Sequence, residues 1–237
     1  MAKIIALVNN EISVGKSTSA LNLSILLSKK KKKTLLVIID SNFIFSYLKI
    51  QFNQIKLNAK GSIAPFVLGE YDKYFSILAL KEKINQKVHD YQKLFVKQIQ
   101  LVETKYDYII VDINRNLEKL IDASLKISCK AIAVYDSHNF SSLSLQKTLN
   151  KIQKSRSINS VLKLFAIVLN NYDHIKHIAS LVQINKIIGP NLLLITLPHR
   201  EELLKVNQEI IKFIKHNLWD DYVINLTSLV DEIIKDS

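Results

Sequence analysis

Cysteine is nearly missing from this chain: Cys129 is the one thiol among 237 residues. A single thiol builds neither a disulfide framework nor a four-thiolate zinc site, and Cys129 is read as a small buried hydrophobe, the usual state of a free cysteine. Arginine is scarce as well, confined to Arg115, Arg156 and Arg200, so the formal net charge of +12 is almost wholly lysine. Lysine is a point charge that solubilises a surface as readily as it binds phosphate, and charge alone therefore fits an anionic partner or a plain surface equally. No apolar run reaches the ~18 residues of a membrane-spanning helix, and the N-terminus lacks the basic region, apolar core and cleavage site of a secretion signal. A cytoplasmic protein is expected. No linker rich in proline, glycine or serine interrupts the chain and no solenoid-length repeat is visible, so one domain over residues 1–237 is expected.

What is present is an alternation of strand-length apolar runs with helical stretches. The runs are Ile4 to Val8, Leu35 to Ile39, Tyr108 to Asp112, Ala131 to Tyr135, Leu164 to Leu169 and Leu192 to Leu197. They are continuous, not alternating, which suits strands covered by helices on both faces. Helices are expected over Ser17 to Ser28, Lys81 to Thr104, Leu117 to Ile127, Ser141 to Lys154, His174 to Ile187 and Asp221 to Lys235. The fold class that follows is α/β, with a mainly parallel twisted sheet and helices on both faces. The segment Ser41 to Leu80 shows no clean period and is left unassigned, as a candidate insertion or partner surface.

Between the first strand and the first helix lies Asn10-Glu11-Ile12-Ser13-Val14-Gly15-Lys16-Ser17-Thr18. Its second half matches the GxxxxGK[ST] phosphate loop, in which backbone N–H groups and a helix N-terminus face the phosphates. Lys16 would neutralise phosphate charge and Ser17 would hold magnesium. Two acids, Asp40 and Asp112, end apolar strands and are placed to face the same crevice; Asp112 is the natural second partner of magnesium.

Taken together the chain resembles the ParA/MinD family of deviant phosphate-loop ATPases, including Soj-type partition proteins, and the likeness runs over most of its length. Val14-Gly15-Lys16-Ser17-Thr18 resembles the family's loop, Lys105-Tyr106-Asp107-Tyr108-Ile109-Ile110-Val111-Asp112 its third motif, Val168-Leu169-Asn170-Asn171-Tyr172-Asp173 a strand end near the base, and Leu197-Pro198-His199-Arg200 its late Pro-Arg loop. The resemblance implies a P-loop NTPase-like fold, ATP and Mg2+ as cofactors, and a nucleotide site from Glu11, Ile12, Ser13, Val14, Gly15, Lys16, Ser17 and Thr18 with Asn171, Pro198 and Arg200. It assigns Asp40 to the water and metal network and Asn42 to the hydrolytic position. It also implies non-specific DNA, a ParB-like centromere-binding protein, and a second family copy in a homodimer or heterodimer as partners, with nucleoid association.

The pattern breaks at identifiable places. Glu11 stands where the family carries a lysine that reaches a partner's phosphates, and Ile12 and Ser13 replace glycines. A carboxylate repels polyphosphate, and a β-branched residue adds bulk and resists positive φ. Asn42 replaces an aspartate; an amide binds water but takes no proton from it. Asp112 is followed by Ile113-Asn114-Arg115 instead of a proline pair, and Arg115 is read as a surface residue that alternatively offsets Glu11. Weak hydrolysis is therefore expected, which makes the enzyme class uncertain.

Other features carry less. Lys29 to Lys33 fall where the first helix ends, and are read as a solvated turn and not as a binding patch. The late cluster Lys205, Lys212 and Lys215 is the expected DNA contact, on a helix whose Ile210, Ile211, Phe213 and Ile214 would point inward. His174 and His177 lie three apart on an expected helix; without a third metal ligand a solvated face is expected. No GxSxG elbow is present. The C-terminal Asp231 to Ser237 is acidic and poor in bulky apolar residues, which argues against a membrane-binding tail. The leading reading is a partition protein binding ATP-Mg and DNA. The alternative is an inactive paralogue that regulates an active partition ATPase, with a small-molecule kinase or GTPase further behind.

Overall fold

The computed structural model describes residues 1–11, 13–39, 66–80, 91–113, 116–189, 191–203, 213–214 and 216–236. Eight strands among them form one sheet: β1 (Lys3–Val8), β2 (Thr34–Ile39), β3 (Phe66–Asp72), β4 (Phe75–Leu80), β5 (Tyr108–Ile113), β6 (Lys130–Asp136), β7 (Lys163–Asn170) and β8 (Leu193–Thr196). Their order is β3-β4-β2-β5-β1-β6-β7-β8, parallel throughout except for the edge strand β3. The helices are α1 (Lys16–Lys29), α2 (Tyr91–Val102), α3 (Glu118–Ile127), α4 (Ser142–Arg156), α5 (Ile178–Ile188) and α6 (Asp221–Lys235).

Every residue of β2, β5 and β6 is buried, as the continuous apolar runs require of strands sandwiched between helices. The period of two then divides each strand between two cores. Ile5, Leu7, Leu36, Ile38, Ile110 and Val168 pack against α1 and α6; Ile4, Ala6, Leu35, Val37, Ile109 and Leu169 pack against α2 to α5. The same parity governs the site, because Asp112 follows Ile110 and Asn170 follows Val168 on the α1 side.

The expected strands and helices are all found within a few residues, with three adjustments. Residues 66–80, left unassigned, form the β3–β4 hairpin, whose turn is closed by Asp72 Oδ1 accepting from the amides of Tyr74 (2.8 Å) and Phe75 (2.9 Å). That turn contains no Asn-Gly or Asp-Gly pair, so its sequence gives no hairpin signal. The helix expected from His174 begins only at Ile178. The helix expected from Lys81 is described from Tyr91, residues 81–90 lying outside the described set.

Cys129 is half-buried, with its thiol donating to Ile4 O at 3.3 Å. Lys29 to Lys33 do form a helix-ending turn. Lys31 N donates to Ser28 O (2.9 Å) and Lys32 N to Leu27 O (3.1 Å), with Lys31 at φ +59 in the place glycine usually takes in this motif.

Candidate nucleotide site

β1, the strand between β5 and β6, delivers the loop to the carboxyl end of the sheet. The loop's chain reversal is made by Ser13 at φ +56 and Gly15 at φ +79, both left-handed. Gly15 is required twice over: the conformation disfavours any side chain, and a Cβ there would lie 2.5 Å from Asn170 Nδ2. Ser13 holds a similar conformation with a side chain attached, a strain of about 1–3 kcal/mol for a non-glycine residue.

Helix α1 starts immediately after Gly15 and has no side-chain cap and no acid in its first turn. Its first internal bond is Ser19 N–H to Gly15 O at 2.8 Å, so the amides of Lys16, Ser17 and Thr18 precede the helix ladder. An uncapped helix N-terminus of this kind is an anion site by its dipole and its N–H groups together. Ser17 and Thr18 are half-buried in that first turn.

Lys16 reaches across the crevice to the end of β5. Its Nζ lies 2.8 Å from Asp112 Oδ1 and donates to Ile113 O. Asp112 is buried, with the Lys16 ammonium as its ion-pair partner among the described residues. One lysine leaves carboxylate lone pairs free, which fits a position that takes a metal-bound water.

Asn170 holds the rear of the loop, its Nδ2 donating to Val14 O (2.7 Å) and lying 3.3 Å from Ser19 Oγ. The resemblance points to its neighbour Asn171, whereas strand parity puts Asn170 on the face toward α1. Asn171, at φ +55, turns the other way: its Nδ2 donates to Asp136 Oδ2 at 2.5 Å, and its Oδ1 lies 3.0 Å from His199 Nδ1.

The front of the loop is anchored to the opposite face. Asn9 Nδ2 donates to Val134 O, Glu11 N donates to Asn9 Oδ1, and Asn10 Nδ2 reaches Thr148 Oγ1 on α4 at 3.1 Å. The buried Tyr135 hydroxyl donates to the same Thr148 oxygen at 2.9 Å. Burial pushes the Tyr135 hydroxyl far above the usual phenol range, the Thr148 bond lowers it, and the nearby Glu11 charge raises it again. Glu11 Oε2 itself is buried with no hydrogen-bond partner.

The family model described as the CobQ/CobB/MinD/ParA nucleotide binding domain matches residues 5–212, nearly the whole of this loop, crevice and sheet. The chain belongs to that family. Among solved structures of similar shape is a cobyrinic acid a,c-diamide synthase from Mycobacterium smegmatis with bound ADP and magnesium, at TM-score 0.73 and 15% identity over 99% of this chain and 95% of that one. A putative plasmid partition protein from Borrelia burgdorferi B31 bound to AMPPNP superposes at TM-score 0.68 with 21% identity over 100% of both chains. The uncharacterized protein MJECL24 of Methanocaldococcus jannaschii is 25% identical over 202 residues, covering 71% of this chain and 73% of its own. At these identities the solved structures establish the shared fold.

The remaining expected residues of this CobQ/CobB/MinD/ParA domain are placed unevenly. Pro198 is half-buried beyond β8, and the following Arg200 is engaged elsewhere, its Nε donating to Asp220 Oδ2 (2.8 Å) at the start of α6. Ile12, Asp40, Asn42, Arg115, Lys205, Lys212 and Lys215 lie outside the described residues.

His177 corrects the solvated-face expectation. It is buried, caps α5, accepts from Asp173 N at its Nδ1 (3.0 Å) and stacks edge-on against His138 with ring centroids 4.5 Å apart. The reason is that residues 174–176 form a turn and not helix, which rotates His177 inward. Among the described residues no cluster of three or more His, Cys, Asp or Glu side chains is arranged to hold a metal, and no helix is long and apolar enough to cross a membrane.

Proposed function

We propose that this chain binds ATP with magnesium, hydrolyses it slowly, and serves a partition system by coating DNA non-specifically. The observation that carries nucleotide binding is the uncapped start of α1 with Lys16 aimed across it at Asp112, 2.8 Å away. Lys16 and the amides of Lys16, Ser17 and Thr18 would take the phosphates, while Ser17 and Asp112 would hold the ion, which supplies charge neutralisation at the phosphate oxygens. Asp112 pairs with Lys16, so phosphate binding would exchange one anionic partner of the lysine for another and free Asp112 for the ion. The partition reading is supported by the likeness to the plasmid partition protein, with a ParB-like protein and a second family copy as the partners it would use.

Thermal melting with ATP tests this. Millimolar ATP with magnesium is expected to raise the melting temperature, by about 2.7 kcal/mol of stabilisation when ligand reaches ~100 times Kd, and Lys16→Ala is expected to abolish the shift. No shift in the native chain rejects the reading.

One observation favours the alternative of a non-hydrolysing regulator. Glu11 lies near the buried Tyr135 with its Oε2 buried and without a hydrogen-bond partner, and the loop's front half is tied down through Asn9 and Asn10. Phosphate release measured with DNA present separates the two: turnover lost on Lys16→Ala supports an ATPase, and ATP binding without turnover supports the regulator.

A further inference from the structure

The loops at the amino end of the sheet, opposite the nucleotide crevice, are residues 1–3, 29–34, 72–75, 102–108, 126–130, 154–163 and 231–236. They hold fourteen lysine or arginine residues against six aspartate or glutamate, a surplus of eight positive charges within a chain of net +12. The described residues of the carboxyl end reverse this. Segments 9–11, 13–17, 91–93, 112–113, 116–119, 136–142, 170–177, 196–201 and 216–222 hold eight acids against five bases.

Part of the surplus has a local cause. A helix C-terminus favours a cation, and α1, α3, α4 and α6 each carry lysine or arginine in the last turn. That does not account for Lys3 or Lys33, which belong to no helix end. Lys30 pairs with Asp231 at 2.9 Å and Lys163 with Asp236 at 2.6 Å. Lys3, Lys31, Lys33 and Lys105 are exposed, and none forms an ion pair among the described residues.

We propose that the amino end of the sheet is a binding surface for the phosphates of a nucleic-acid duplex, separate from the nucleotide crevice and made by lysines other than Lys205, Lys212 and Lys215. The basic tips run from β2 to β7, four strand steps or about 19 Å at the usual spacing, enough to reach phosphates on both sides of a major groove about 12 Å wide. Lysines spread as point charges neutralise phosphate without reading bases, so the binding is non-specific and steeply salt-dependent. An anionic bilayer fits less well. A membrane-docking face mixes bulky apolar groups with its lysines, whereas the exposed Ile158 and Val161 sit beside β7 and the five-lysine turn at β2 contains no apolar residue.

The inference rests on the DNA-coating reading for its choice of polyanion. Anisotropy titrations of a labelled mixed-sequence duplex, over a salt series without nucleotide, test it with the four-site variant Lys3→Gln, Lys31→Asn, Lys33→Gln, Lys105→Gln. Each lost phosphate contact is expected to lower the slope of log K against log salt by about 0.9, and affinity at low salt should fall at least ~10-fold. Lys33→Gln with Lys105→Gln alone should give a smaller change in the same direction, which guards against a folding defect in the larger variant. Lys119→Gln with Lys176→Gln, at the other end of the sheet, should leave binding unchanged. An unaltered slope in the four-site variant overturns the proposal, as does an equal loss in the carboxyl-end control or a loss confined to anionic vesicles. If instead only neutralising Lys205, Lys212 and Lys215 abolishes duplex binding, the surface is wrong and the DNA reading stands. If the native chain binds no duplex even at low salt, both fail.

Discussion

Gly15 and Asn170 interlock so closely that neither can be changed independently. A methyl group at Gly15 meets Asn170 Nδ2 at 2.5 Å and must also hold φ +79. Gly15→Ala is therefore expected to cost about 1–3 kcal/mol from strain alone, with further loss if Asn170 is displaced from Val14 O. Chemical denaturation should show a lowered midpoint at unchanged m-value, and a neutral result would mean that the loop relaxes freely. At this scale the sequence announced Gly15, Lys16 and Asp112 because each residue type has one job in a phosphate loop. It hid Asn170 and Tyr135, because an amide or a phenol in an apolar strand signals nothing until strand parity shows which face it joins.

Secondary elements were legible where their burial was symmetrical and obscure where it was not. β2 and β5 read as strands since both faces are covered, while the β3–β4 hairpin at the edge mixes Gly69, Glu70 and Asp72 into its period and turns without glycine. Helix α1 ends on a similar economy: Lys31 stands at φ +59 in the glycine position of its C-terminal motif. Lys31→Gly should stabilise the chain by roughly 0.5–1 kcal/mol, the relief of a left-handed side chain reduced by the entropy of a freer unfolded chain. A melting temperature raised by a few degrees checks this, and a lowered one would show that the Lys31 side chain makes a compensating contact.

For the molecule as a whole, the C-terminal helix is locked to the sheet by charge. Lys130 is buried at the foot of β6, pairs with Asp236 Oδ2 at 2.9 Å, donates to Asp236 O at 3.0 Å and lies over the Phe165 ring at 4.7 Å. Lys163 and Lys130 hold the Asp236 carboxyl below its ordinary range. A carboxylate depressed in the folded state adds stability above its unfolded pKa of ~3.9, and that stability is lost as pH falls through the folded value. Because the Asp236 side chain is 38% exposed, solvent screening holds the effect to about 1 kcal/mol or less. Asp236→Asn should accordingly lower stability at neutral pH and flatten its fall below pH ~4; identical pH profiles would remove the lock.

The sequence by itself determined the α/β class, most of the strands and the phosphate-loop half centred on Gly15, Lys16 and Ser17, since periodicity and motif spacing are local properties. Only the tertiary structure decided which face each strand-end residue joins, that the Glu11 carboxylate is buried without a hydrogen-bond partner, that His177 is buried, and that among the described residues the lysine surplus gathers at one end of the sheet. Those outcomes depend on residues far apart in the chain being brought together: Asn170 meets Val14, Thr148 meets Asn10, and the basic loops meet because parallel strands all begin at the same end.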